Sequence, residues 1–369
     1  MNMTIEQKKK QLENVISKMK GLKSNLGMKI GFGDVEPIEY YETPFVTLNT
    51  LLGGGLPKGR FSVIAGPAMT GKTTLLQQVI AYQQSIDPEF ICLWTDAENS
   101  LEPTWCEKLG IDTERLLVQR YPDNVEGQYF EKLLQQGFEL IETGSINMWV
   151  IDSIGALTPK SEVDKELEDG KMLDLQRKLG EFFRKANPVA AKNNCACVMV
   201  GQVYDAPTTT GITLQQVKGG NAVKHWAYTR LITRRGRKDL GPGDHDIPQP
   251  DGNKKRVPKG WAQAIKLEKT KTNDKENQEV ILQFMFGRGF DSIDCAIGAL
   301  FANEIIIRKG GWFYNHLFPE DKSGDCKIQG KDNVVEFLKS APDVLAQLTH
   351  EMDLELAVST NQNNTQDNT

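Results

Sequence analysis

The stretch Gly66-Pro67-Ala68-Met69-Thr70-Gly71-Lys72-Thr73-Thr74 fits the pattern GxxxxGK[ST] without a mismatch. The pattern is short, so its flanks decide what it means. Before it, Arg60-Phe61-Ser62-Val63-Ile64-Ala65 reads as a short buried strand; after it, Thr74-Leu75-Leu76-Gln77-Gln78-Val79-Ile80-Ala81-Tyr82 repeats its apolar positions at helical spacing. Strand, glycine-rich turn and helix in that order make a phosphate cradle. The glycines let backbone N–H groups wrap an anion, and the positive end of the helix faces it. Lys72 adds a mobile cation, and the Thr73 hydroxyl is a ligand for Mg²⁺.

The chain has 369 residues, 39% of them hydrophobic and 25% charged. That length suits one large α/β core with small appendages. No apolar run approaches the roughly 18 residues of a membrane helix, and no charged-then-apolar segment opens the sequence. Cys92, Cys106, Cys195, Cys197, Cys295 and Cys326 show neither regular nor CxxC spacing. Together these features predict a soluble, cytoplasmic protein without a membrane partner, its thiols reduced and mostly buried. The formal charge of −5 advertises no broad basic surface, so any nucleic acid has to meet a local concentration of positive charge.

Residues 4–20 read as an amphipathic helix, with Thr4 and Gln7 as a capping box, Leu12, Val15, Ile16 and Met19 as an apolar stripe, and Gly21 as its stop. A glycine-punctuated linker follows, so this helix is free to dock on its own core or on another subunit, and residues 1–34 form an oligomerisation segment in the second case. From about 35 to 290, apolar runs alternate with helical stretches, the signature of a mostly parallel sheet with helices on both faces. Residues 161–172 and 203–221 read as loops within it. Residues 234–260 read as a long hairpin loop with basic shoulders, from Arg234 and Arg235 to Arg256 and Lys259. A small α+β domain is expected over 291–350, and a disordered Asn/Gln/Thr-rich tail over 351–369.

Three apolar runs end in polar residues of catalytic type: 90–95 runs into Asp96-Ala97-Glu98, 148–151 into Asp152-Ser153, and 195–200 into Gly201-Gln202. Open parallel sheets bind ligands beyond the carboxyl ends of their strands, so these ends should gather near the phosphate loop. Asp152 is then placed to reach Mg²⁺, usually through water. Glu98 or Asp96 is placed to activate the water that attacks a γ-phosphate. Gln202, at the edge of a loop, can feel that phosphate and report its loss. Lys269 and Lys271 share one strand face with an apolar row, so they either meet an anion or leave the core. Trp105 is either a flat face for a nucleobase or a core residue.

Taken in order, these segments resemble the RecA recombinase family from about residue 10 to 340. The resemblance is carried by Gly54-Gly55-Leu56-Pro57-Lys58-Gly59-Arg60, Asp96-Ala97-Glu98 with Leu101 and Pro103, Val150-Ile151-Asp152-Ser153 with Ala156-Leu157-Thr158-Pro159-Lys160, Thr208-Thr209-Thr210-Gly211, Gly219-Gly220-Asn221-Ala222 with Lys224, and the Lys269-x-Lys271 pair. It implies a RecA-like P-loop ATPase core that uses ATP and Mg²⁺, an N-terminal helix docking on the adjacent subunit, and a head-to-tail helical filament on single-stranded DNA that pairs it with homologous double-stranded DNA. It further implies Glu98 as the catalytic carboxylate, Gln202 as γ-phosphate sensor, Trp105 against adenine, and Lys269 and Lys271 reaching ATP from the neighbouring subunit. Met172, Arg177, Arg184, Gly219, Gly220 and Asn221 fall at DNA-contacting positions.

Tyr204 stands where bacterial relatives are basic, and it is either a base-stacking side chain and so a further DNA-contact candidate, or a loop-packing tyrosine. With Asp205, Pro207, the long segment 234–260 and the amide-rich tail, it makes the chain look like a bacteriophage-encoded, UvsX-type member, acting in the host cytoplasm with a recombination mediator and a single-strand-binding protein. Two other readings remain on the residues alone: a ring-shaped RecA-fold DNA motor, and an ATP-binding mediator without turnover.

Overall fold

The computed structural model describes residues 4–20, 37–121, 129–160, 172–207, 213–217, 220–237, 244–248, 254–271 and 273–352. The chain divides into two units, Met1–Glu39 and Tyr40–Thr369. The first contains helix α1 (Ile5–Lys20). Its capping box forms as the sequence predicts: the Thr4 N–H donates to Gln7 Oε1 at 3.0 Å and the Gln7 N–H to Thr4 Oγ1 at 3.3 Å. The linker expected after it and the amide-rich tail lie outside the described residues.

The second unit is built on ten strands: β1 (Phe61–Gly66), β2 (Cys92–Asp96), β3 (Leu116–Gln119), β4 (Met148–Asp152), β5 (Ala196–Pro207), β6 (Thr213–Val217), β7 (Thr229–Arg235), β8 (Gly260–Lys269), β9 (Glu279–Met285) and β10 (Gly289–Phe290). They lie in the order β10-β9-β8-β7-β1-β5-β4-β2-β3, with β6 paired to β5. The run from β7 to β3 is parallel, and β8, β9 and β10 add antiparallel strands at the β7 side. Helices α2 (Val46–Leu52), α3 (Lys72–Ile86), α4 (Pro103–Lys108), α5 (Phe130–Glu142), α6 (Met172–Lys192) and α7 (Gly220–Trp226) accompany this sheet.

Strand side chains alternate between two cores, which is what a sheet covered on both faces requires. Ile64, Val150 and Val198 join Leu75, Val79 and Ile80 of α3 on one face. Val63, Trp149, Ile151 and Cys197 join Leu134 and Ile141 of α5 and Phe183 of α6 on the other. The six cysteines are free, all but Cys326 buried, as their spacing predicts. Beyond the sheet, α8 (Ser292–Ala302), β11 (Ile307–Lys309), β12 (Trp312–Tyr314), β13 (Lys327–Gln329), α9 (Lys331–Ser340) and a last helix over 342–352 form a small α+β domain. It has its own core of Leu300, Phe313, Val334, Leu338 and Leu348.

Two stretches read as loops are strands. Tyr204 lies inside β5, which runs on past Gln202 because β6 pairs with it, Val203 opposite Val217 and Tyr204 opposite Gln216. Residues 244–248 and 254–258 form an antiparallel ribbon, with Asp244 opposite Pro258 and Asp246 opposite Arg256. Met172, placed by sequence at the end of a loop, opens α6, and residues 161–171 lie outside the described residues.

Candidate active site

The phosphate loop leaves β1 and enters α3, and its backbone shape depends on particular glycines. Gly71 takes φ +75°, the left-handed conformation that glycine adopts without steric cost. A Cβ on Gly66 would lie 2.2 Å from Thr233 Oγ1, so the loop starts hard against β7. Thr70 Oγ1 joins Thr233 Oγ1 at 2.9 Å and donates to the Pro67 carbonyl at 2.9 Å. Lys72 curls back over this loop, its ammonium donating to the carbonyls of Pro67 at 2.7 Å and Gly66 at 3.1 Å. Burial pulls its pKa down, while the charges of Asp152 and Glu98 oppose that shift.

The carboxyl ends of β2 and β4 lie beside the loop, as their polar termini predict, and so does Gln202, which is inside β5 and not at its end. Thr73 Oγ1 donates to Asp152 Oδ2 at 2.7 Å. Burial pushes the Asp152 carboxyl up to about 6, despite the bond from Thr73. Glu98 Oε1 accepts a bond from Gln202 Nε2 at 3.3 Å and another from Ser153 Oγ. A hydroxyl and a carboxylate converging on one spot are the hard oxygen donors that Mg²⁺ prefers, so Thr73 and Asp152 fit that ion.

Asp96 and Glu98 differ in their partners. Asp96 is fully buried and accepts from the Ser100 N–H at 2.9 Å, the Leu101 N–H at 3.1 Å and Arg120 Nε at 2.9 Å. Those bonds occupy its oxygens, whereas Glu98 opens onto a cavity of about 540 Å³. That cavity is lined by Ala68, Met69, Thr70, Gly71, Lys72, Thr73 and Thr74, together with Glu98, Asp152, Ser153 and Gln202. Besides Val200 on β5, its remaining wall was missed by sequence reasoning: Arg235 at the end of β7, Trp261 on β8, Phe284 near the end of β9 and Phe286 just past it. Trp261 stacks on Phe284 with centroids 3.9 Å apart, and the Arg235 guanidinium lies 4.6 Å over Trp261. Phe286 is 55% exposed, an unusual state for a large apolar ring next to a polar cleft and the signal that marks it.

Other expected site residues lie elsewhere. Trp105, on α4, is half-buried and does not line this cavity; its ring centroid is 5.7 Å from Lys108 Nζ, which sits 3.8 Å from where a Cβ on Gly287 would be. It is therefore one lysine away from the turn that follows Phe286. Lys269 and Lys271 are not on the cavity wall either. Lys269 Nζ donates to the carbonyls of Lys224 at 2.9 Å and His225 at 3.1 Å, at the end of α7. Burial and then the charges of Lys271 and Arg230 lower its pKa. Lys271 is exposed, 5.8 Å from the Tyr228 ring centroid.

Among the DNA-contact candidates, Gly220 opens α7 so close to α6 that a Cβ would meet Gln176 Nε2 at 2.2 Å. Arg177, next to Gln176, is exposed and bonds Glu181 at 3.1 Å, and Arg184 is exposed on the same helix. Gly219 lies outside the described residues, and Asn221 is described as backbone of α7. Among the described residues no helix is long and apolar enough to cross a membrane, and no group of His, Cys, Asp and Glu could hold a metal by itself.

The model of the RecA N-terminal domain matches residues 8–291, which span the whole of this sheet and site. The chain belongs to the RecA family. It is similar to Protein RecA of Acinetobacter baylyi, 31% identical over 352 residues covering 93% of this chain and 90% of the relative. It is also similar to Protein RecA of Nostoc sp., 30% identical over 328 residues covering 88% and 83%. At the level of the family, this is a recombination and DNA repair protein whose relatives use ATP with Mg²⁺.

Proposed function

We propose that this RecA-family chain is a DNA-dependent ATPase that forms helical filaments on single-stranded DNA and catalyses homologous pairing and strand exchange. The observation that carries the reading is the shared Glu98 carboxylate, held by Gln202 and Ser153 at the mouth of the phosphate loop. Phosphoryl transfer to water needs positioning and charge more than covalent help from the protein. ATP seats its phosphates on the backbone of residues 66–74, with Lys72 released from the loop carbonyls to the phosphates. Thr73 and Asp152 would hold Mg²⁺, which would supply charge neutralisation at the phosphates. Glu98 orients and deprotonates the attacking water, and the Gln202 amide, bonded to the same oxygen, registers whether a γ-phosphate is present. Because Gln202 lies in β5, which continues directly into the β5–β6 ribbon, a shift of its side chain is transmitted along that strand. Trp105 and Phe286 flank the base, and Arg235 on Trp261 closes the side of the cleft.

Lys269 and Lys271 stand away from the cavity of their own subunit, which supports a role against the ATP of the next one. DNA runs along the axis of the filament, contacted by residues 161–172 and 203–221, with Met172, Arg177, Arg184, Tyr204, Gly219, Gly220 and Asn221 as its contacts. An axial site also accommodates the net acidic charge. A bacteriophage origin, with a mediator and a single-strand-binding protein as partners, rests on Tyr204, Asp205, Pro207 and the ribbon at 244–258.

The test is ATP hydrolysis by the purified protein with and without single-stranded DNA, beside Lys72→Ala and Glu98→Gln, each mixture imaged by negative-stain microscopy. Expected are DNA-stimulated turnover, long helical filaments, and a fall of about 10²-fold or more in both variants, in line with loss of a general base or a phosphate ligand. Closed rings with DNA-independent turnover, or filaments without turnover, would overturn the proposal.

A further inference from the structure

Asp96 is a buried carboxylate beside the site that hydrolysis leaves unused. Its side chain is 0% exposed, yet that of its partner Arg120, just past β3, is 46% exposed and touches no part of the cavity. The two make a small closed circuit. Asp96 accepts from the N–H groups of Ser100 and Leu101, Arg120 Nε donates to Asp96 Oδ2 at 2.9 Å, and Arg120 Nη2 donates to the Leu101 carbonyl at 2.8 Å. Both backbone groups of Leu101 are thereby fixed.

Glu98 sits inside that circuit. On one side the Ala97 N–H is anchored to the Asp152 carbonyl at 2.8 Å, and on the other Ser100 and Leu101 are held by Asp96. Between them Asn99 takes φ +52°, a left-handed kink that turns the loop back on itself. We infer that Arg120 is a positioning residue for the hydrolysis proposed above: by neutralising Asp96 and holding Leu101, it fixes the loop that aims Glu98 at the attacking water.

The inference rests on the ATPase reading, and it makes a distinction within it. The phosphate-binding Lys72 and the metal-suited Thr73 stand in the first turn of α3, after the β1 loop, so Arg120 controls the aim of Glu98 and not the seat of the nucleotide. Only a planar fork reaches Asp96 Oδ2 and the Leu101 carbonyl together; a lysine supplies charge beside Asp96 without that geometry. Small misplacements of a reacting group cost rate far more than they cost binding.

The experiment compares the full-length protein with Arg120→Gln, Arg120→Lys, Glu98→Gln and the Arg120→Gln/Glu98→Gln double variant. Measured are DNA-stimulated ATP turnover, affinity for a fluorescent ATP analogue, and amide hydrogen exchange across residues 97–101. Expected for Arg120→Gln are a kcat lower by about 10-fold, affinity within about 2-fold of wild type, and faster exchange at Ser100 and Leu101. Arg120→Lys, with charge but no fork, should fall between the two. In the Glu98→Gln background Arg120→Gln should cost nothing further, because the group it aims is already gone. An unchanged kcat, a parallel loss of nucleotide affinity, or a full additional loss in the double variant would overturn the inference alone. A wild-type protein that binds ATP without turning it over would overturn the hydrolytic reading, and this inference with it.

Discussion

Asp152 is where burial and function oppose each other most directly. Its carboxyl stands at about 6 in the folded chain against 3.8 for the free group, with burial as the main cause. The protonated form therefore stabilises the metal-free fold: that contribution is complete below pH 3.8 and is lost as pH rises through about 6. Across the window it amounts to on the order of 3 kcal/mol. In a chelating buffer, Asp152→Asn, which still accepts from Thr73, should melt higher than wild type at pH 8 and lose that advantage toward pH 4. Thermal denaturation at the two pH values checks this, and a gap that does not narrow in acid would contradict it. The same residue shows what a sequence yields at this scale. Asp152, Lys72 and Thr73 were legible because a phosphate loop and a strand end fix their places within a few residues. Spacing did not separate Asp96 from Glu98, and only the family resemblance favoured Glu98, because the ion pair that ties up Asp96 comes from Arg120, 24 positions away. Arg235 was read only as a basic shoulder of 234–260, because nothing local distinguishes an arginine that faces a cleft from one that faces solvent.

The elements were legible where the core writes a period into them and illegible where it does not. Apolar runs gave β1, β2, β4 and the start of β5, because strands buried on both faces are continuous in apolar residues. The far half of β5 and β6 mix apolar with polar residues and are joined by a stretch rich in Thr and Gly, so the ribbon they form reads as a loop until Val203 is seen opposite Val217. Strand order was equally hidden: β1 lies between β5 and β7, each more than 130 residues away in sequence. One helix shows how closely such packing is fixed. Gly137 is buried on α5, and a Cβ there would come within 2.2 Å of Trp149 Cζ2 on β4. The indole cannot simply rotate away, since its Nε1 donates to Thr95 Oγ1 at 2.9 Å. In an exposed helix Gly→Ala adds about 1 kcal/mol of stability. Here Gly137→Ala should instead cost about 1–3 kcal/mol through overpacking. Urea denaturation reads the sign directly, and an alanine variant as stable as wild type would mean that α5 can lift from the sheet.

For the molecule as a whole, the question is whether its active site is complete within one chain. The cavity holds a phosphate loop, a metal-suited pair and the Glu98 carboxylate, while Lys269 and Lys271 lie apart from it, with Lys269 parked on the carbonyls that end α7. A head-to-tail repeat that does not close brings such a surface against the next copy's cleft at every junction. Each proposed site then draws its phosphate loop from one copy and its outer lysines from another. This makes two inactive proteins able to repair each other. Lys72→Ala lacks a working loop but keeps the lysines, and Lys269→Ala/Lys271→Ala lacks the lysines but keeps the loop. In a random filament mixed one to one, about one junction in four pairs the intact loop with the intact lysines. DNA-stimulated turnover should therefore rise from near zero in either protein alone to about a quarter of wild type in the mixture, since each competent junction acts alone. It should also fall off on both sides of the equal ratio, because the chance of a competent junction is the product of the two fractions. If the lysines served the loop of their own chain, every copy in the mixture would carry one defect, and turnover would stay at the sum of the two inactive parents at every ratio.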